Sequence, residues 1–209
     1  VFKILHALED RIDWVTREFG AKTFYLIRHP IPVALSREVT PRLGAFLESH
    51  FAEHLTDEQR RIARDIAAGG DDLERKVVDW CLQNVVALNN DAARQGLITY
   101  EQIVLDPGPV LSKIQREAGL PDEDRLRDQL RRPSRSVSQS DAETAKVLRS
   151  EKRDPHWLVT KWTSKLPSEK CRELMDIVTA LGPKDIYTPT SHLPLDEVMI
   201  RDAQGETVG

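Results

Sequence analysis

The sequence predicts an α/β fold, a short parallel β-sheet flanked by helices with a helical insertion between its strands. Three observations predict it. Residues 23–27, TFYLI, form a β-branched and aromatic run that ends on a His-Pro-Ile-Pro turn, the composition of a buried strand followed by a breaker. Residues 97–101, LITYE, form a second such run. Between and after them, apolar residues recur at three- and four-residue spacing, and strands alternating with helices pair in parallel.

The elements follow in order. The segment VFKILHALED begins at Val1, inside what reads as a strand or helix start, and leads into a helix that holds Trp14, Val15 and Phe19, with Glu9 and Asp10 expected on its solvated face. After the first strand, Pro30 and Pro32 suit a turn and a first helical position, and Val33, Ala34, Leu35 and Ser36 continue as helix. Residues 42–54 carry Leu43, Phe46, Leu47 and Phe51 at helical spacing. Thr56 and Gln59 make a capping-box pattern that starts a second helix of the insertion. Asp71 or Asp72 starts a third, with Leu73, Val77, Cys81, Leu88 and Ala92 on one stripe, Trp80 and Val85 beside it, and Gly96 as its stop.

Beyond the second strand, Asp106-Pro107 opens a helix with Val110, Leu111, Ile114 and Ala118 on its apolar side, closed by Gly119. Residues 125–140 hold five arginines against one acid and then a Ser-rich stretch, which reads either as a solvated helix end with a flexible loop or as a gating loop. Lys161-Trp162 and Leu166-Pro167-Ser168-Glu169 lead to a last helix with Leu174, Ile177, Val178 and Leu181 inward and Gly182 at its end. From residue 188 the chain reads as a tail, with a frayed terminus or docking on a partner chain as the two alternatives. The expected division is a domain of residues 1–187 and a tail of residues 188–209.

Composition narrows the class. With 209 residues and 40% hydrophobic content the chain can bury one sizeable core. Its net charge of −4 argues against a nucleic-acid partner, since neutralising a phosphate backbone calls for excess Lys and Arg. Only Cys81 and Cys171 are present, both within helical patterns, which points to free thiols in a reducing, cytoplasmic setting. No apolar run reaches membrane-spanning length and no signal peptide is visible.

The junction after the first strand carries the chemistry. A strand feeding a helix directs backbone N–H groups and the positive end of a helix dipole beyond the strand's end, and Arg28 adds a fixed charge with bidentate donors, so the site suits a phosphate. The plain alternative is a strand-end arginine paired with a carboxylate. Arg28 followed eight residues later by Ser36, across strand, turn and helix, resembles the element with which sulfotransferases dependent on 3′-phosphoadenosine 5′-phosphosulfate hold the cofactor's 3′-phosphate. His29 stands where that family often has Asp or Asn, and Arg-His-Pro resembles a bacterial variant. The segment from Tyr100 is similar to the family's Tyr-Glu-Asp, with Gln102 in place of the acid.

The resemblance implies a P-loop-like sulfotransferase fold and a set of roles. Arg28 and Ser36 would hold the 3′-phosphate and Tyr100 would contact the adenine, against ordinary core packing of that ring. Arg153, in the basic stretch Lys152 to Trp157, is a candidate phosphate contact or a solvated surface charge. His6 matches the region of the family's base, or is a structural histidine, with Glu9 and Asp10 as fallback bases. The implied reaction moves a sulfuryl group to the hydroxyl or amine of a small-molecule, carbohydrate or lipid acceptor, and needs no metal.

The family's phosphate loop, a glycine with neighbouring Lys, Ser and Thr after a first strand, has no counterpart in this sequence. The chain is therefore expected to match the later two-thirds of a family member, with an N-terminal segment or another chain completing the sheet. Two other readings stay open: a nucleotide-dependent phosphotransferase, marked by a Walker-type lysine and a magnesium carboxylate, and an interaction domain that keeps the fold without the chemistry.

Overall fold

The computed structural model describes residues 8–37, 42–120, 123–130, 150 and 154–201. The described chain is mostly helical around a two-stranded parallel sheet, an α/β arrangement. Strand β1 (Tyr25–Ile27) pairs with β2 (Leu97–Thr99) in the register Tyr25 to Leu97, Leu26 to Ile98 and Ile27 to Thr99. Each strand feeds a helix directly: β1 runs into α2 (Pro30–Ser36), and β2 into α7 (Tyr100–Leu105).

Before the sheet lies α1 (Ile12–Phe19), closed by Gly20 in the left-handed region at φ 56, where a residue without Cβ carries no strain. The insertion comprises α3 (Arg42–Glu48), a 3₁₀ turn (His50–His54), α4 (Asp57–Gly69), α5 (Asp72–Leu88) and α6 (Asp91–Gln95). After α7 come α8 (Pro107–Ala118), α9 (Glu123–Leu130), α10 (Pro155–Thr160), a 3₁₀ turn (Lys161–Lys165) and α11 (Ser168–Leu181).

The core is built on α5, which packs against α2, α3, α4, α6 and α11. Val77, Val78, Cys81, Leu82 and Val86 of α5 are fully buried, and Leu174, Met175, Val178 and Leu181 of α11 meet them. Burying a side chain of this size stabilises the fold by roughly 1.5–3 kcal/mol. Both capping boxes of the insertion are closed, Thr56 with Gln59 at α4 and Asp71 with Glu74 at α5.

Several expectations are corrected. Tyr100 and Glu101 begin α7 instead of ending a strand, because Thr99 caps that helix by accepting the Gln102 N–H. The long insertion helix ends at Leu88, and Ala92 belongs to the separate α6. Gly96 therefore does not stop that helix; its carbonyl accepts the Tyr25 N–H, and a Cβ there would run into the Thr23 carbonyl. Residues 42–54 form a helix followed by a 3₁₀ turn instead of one helix. Glu9 and Asp10 precede α1 and are largely buried, Asp10 lying 3.2 Å from His50 Nε2, whereas Trp14 and Phe19 of α1 are exposed and stack edge-on.

Residues 188–201 also depart from a frayed tail, and residues 202–209 lie outside the described residues. Tyr187 bridges to Pro194, and Leu195 N–H donates to the Ile186 carbonyl. Farther on, the Gln102 side-chain amide pairs with both backbone groups of Ile200, its Oε1 accepting the N–H at 2.9 Å and its Nε2 donating to the carbonyl. Among the described residues no helix is long and apolar enough to cross a membrane.

Candidate functional site

At the C-terminal end of the parallel pair, the peptide group that joins Arg28 to His29 is held on both sides. The Arg28 carbonyl accepts from Trp80 Nε1 of α5 at 3.1 Å, and the His29 N–H donates to Glu101 Oε1 of α7 at 2.9 Å. One peptide plane, fixed by two buried side chains from two helices, thus sets where the arginine leaves the backbone.

His29 is 1% exposed and caps α2, its Nδ1 accepting the Ile31 N–H. That bond assigns the ring proton to Nε2. Burial, then the nearby His192 and Arg28, push its pKa down to about 3, so the ring is uncharged at neutral pH. Its ring stacks on Trp162 at 4.8 Å and meets the edge of Tyr187 at 5.1 Å. Nε2 is buried without a hydrogen-bond partner among the described residues.

Glu101 is 2% exposed, and its second oxygen accepts the Tyr187 hydroxyl at 2.8 Å. Burial raises its pKa; the bonds from His29 and Tyr187 and the charge of Arg28 work the other way. Burial also raises the Tyr187 hydroxyl, with the Glu101 charge adding to it. Tyr187 therefore stays a donor.

The Arg28 guanidinium is half-buried and stands over the Tyr100 ring, its Cζ 4.3 Å from the ring centroid. Its Nε is buried without a hydrogen-bond partner, and it forms no ion pair among the described residues. The alternative of an arginine paired with a carboxylate is thus not what the structure shows. A desolvated guanidinium keeps its charge, so it is a ready set of donors for an oxyanion with two or more acceptor oxygens.

Of the five residues singled out from the sequence, Arg28 and Tyr100 come together. Ser36 stands at the far end of α2, about 9 Å along the axis from Pro30, exposed, with its hydroxyl donating to the Val33 carbonyl at 2.9 Å. His6 and Arg153 lie outside the described residues. Sequence reasoning missed Glu101, Tyr187 and the part played by Trp80. The signal for Glu101 was present: Thr99 and Gln102 repeat the spacing of Thr56 and Gln59 and mark a helix start at Tyr100.

Among the described residues no group of three or more His, Cys, Asp or Glu side chains could hold a metal ion. Compared with protein-family models, curated proteins and solved structures, the chain matches none.

Proposed function

We propose that the chain is a sulfotransferase that uses 3′-phosphoadenosine 5′-phosphosulfate, with Arg28 on the cofactor's 3′-phosphate. One observation carries the reading: a half-buried guanidinium without an ion pair among the described residues, its peptide held from both sides, stands at the C-terminal end of a parallel strand pair on an aromatic ring. The resemblance in sequence assigns these same two side chains to the cofactor. The Arg28 donors suit a phosphate, and the half-buried Tyr100 ring would contact the adenine.

In the proposed reaction the bond from sulfur to the donor's phosphate oxygen breaks as the bond to an acceptor hydroxyl or amine forms. The acceptor's proton goes to a base, the role proposed for His6. His29 does not serve there, being buried, uncharged and already engaged through Nδ1. Cys81 and Cys171 are both free, which supports placing the protein in a reducing compartment such as the cytoplasm.

A second reading, an interaction domain that keeps the fold without the chemistry, is favoured by the exposed Trp14, Phe19 and Leu26. Calorimetric titration of 3′-phosphoadenosine 5′-phosphate separates the two. The sulfotransferase reading expects binding that Arg28→Ala weakens by tenfold or more, as order-of-magnitude loss of a charge-assisted bidentate contact, roughly 1.5–3 kcal/mol. Absence of binding to the unaltered protein would favour the interaction domain.

A further inference from the structure

We propose that Glu101 is a positioning residue for Arg28, and that Tyr187 on the C-terminal stretch holds Glu101 in place for that task. The inference rests on the function proposed above in taking a phosphate as the ligand of Arg28.

The geometry supplies the argument. Glu101 touches neither Tyr100's ring nor the guanidinium through a hydrogen bond; its two oxygens are spent on the His29 N–H at 2.9 Å and the Tyr187 hydroxyl at 2.8 Å. The first of these lies on the same peptide plane whose carbonyl Trp80 holds at 3.1 Å. Rotation of that plane would swing the Arg28 Cα, and a side chain as long as arginine converts a small rotation at the backbone into a large displacement of its guanidinium.

A buried carboxylate is an expensive way to satisfy a single N–H. Glu101 offers more than an acceptor: the Arg28 charge acts on its carboxyl and works against the rise that burial causes, without the arginine's donors being occupied. The guanidinium can then remain partly desolvated and unpaired, with its N–H groups available to a ligand. Tyr187 completes the arrangement: it bonds the other carboxylate oxygen and packs its ring against His29, so residues 86 positions apart fix one rotamer.

Two readouts test this on the chain as it stands. The first needs no ligand. The Arg28 Nε–H, buried and bonded to the Cζ that stands over the Tyr100 ring, is expected to give an NMR resonance displaced by the ring current and identified by its disappearance in Arg28→Lys. Glu101→Gln, which keeps an acceptor for His29, is expected to move that resonance toward the free-arginine position, and Tyr187→Phe to move it in the same direction.

The second readout compares affinity for 3′-phosphoadenosine 5′-phosphate with that for adenosine 5′-phosphate, which lacks the 3′-phosphate. Glu101→Gln should weaken the first by about tenfold, since a charge-assisted bond becomes a neutral one of roughly half the strength, and leave the second unchanged. In an Arg28→Ala background the same substitution should add nothing. An unmoved Arg28 resonance in both variants, or equal losses for the two ligands, would overturn the proposal and leave Glu101 a structural residue. Displacement of the resonance in a protein that binds neither nucleotide would uphold the positioning role and sink the sulfotransferase reading instead.

Discussion

The His29 Nδ1 does what an Asp or Asn side chain does at a helix start, accepting the Ile31 N–H of α2. The imidazole adds two ring contacts that a short side chain lacks, and with them a dependence on pH. In the folded protein its pKa lies at about 3, below the ordinary 6.5. The unfolded chain therefore takes the proton first, and the contribution to stability is complete above pH 6.5 and is lost as the pH falls from 6.5 through 3. The slope in that window approaches about 1.4 kcal/mol per pH unit. Urea unfolding from pH 7 to 4 should show this slope, and His29→Asn, which keeps an acceptor for Ile31, should remove it although the lost ring lowers stability throughout. Glu101 acts in the opposite sense: its raised pKa means that the folded state keeps a proton the unfolded chain has shed, so its contribution declines as the pH rises past 4.5. Glu101→Gln should abolish that decline, measured in the same titrations.

Helix starts were the most legible elements, and they were legible for a physical reason. A capping box is a local hydrogen-bond exchange, so its residues sit at fixed spacing in the sequence, as at Thr56 with Gln59 and Asp71 with Glu74. Thr56→Ala should cost about 1 kcal/mol in chemical denaturation. Asp71→Ala should cost more, about 1.5–2 kcal/mol, because Asp71 also meets Lys170 of α11 at 2.7 Å, beside Glu74 at 2.8 Å, in a half-exposed cluster that solvent screens. The third such pattern, Thr99 with Gln102, is masked in the sequence because residues 98–101 alternate like a strand, and in the fold Gln102 spends its side chain on Ile200 instead of reaching back to close the box. The Gly96 conformation is ordinary; what this residue provides is the close approach of β2 to the Thr23 carbonyl. Gly96→Ala should therefore loosen the pairing of the two strands and lower stability by about 1–3 kcal/mol, the usual cost of overpacking, seen as faster hydrogen exchange at the Tyr25 amide.

Across the whole molecule, what the sequence concealed are contacts between distant polar residues. Arg28 and Tyr100 were both singled out, but Trp80, Glu101 and Tyr187 join them only through bonds spanning 52, 72 and 86 residues, which leave no local periodicity. The seating of residues 188–201 is hidden for the same cause: Ile200 is attached to α7 through a glutamine amide on its backbone, not through a run of apolar residues. The Gln102 amide both donates to and accepts from the Ile200 backbone, which an ionised carboxylate, an acceptor only, cannot do. Gln102→Glu should leave the Ile200 carbonyl facing a carboxylate and cost about 1–3 kcal/mol, with limited proteolysis cutting first between residues 188 and 201. The enclosure of Trp162 has one more consequence. Stacked on His29 and met edge-on by His192, this ring is 3% exposed, while Trp14 is 46% exposed. Trp162 is a built-in optical gauge: its emission should be blue-shifted while residues 186–201 are seated, move to longer wavelength when Gln102→Glu releases them, and dim in acid as the His29 imidazole stacked on it gains charge.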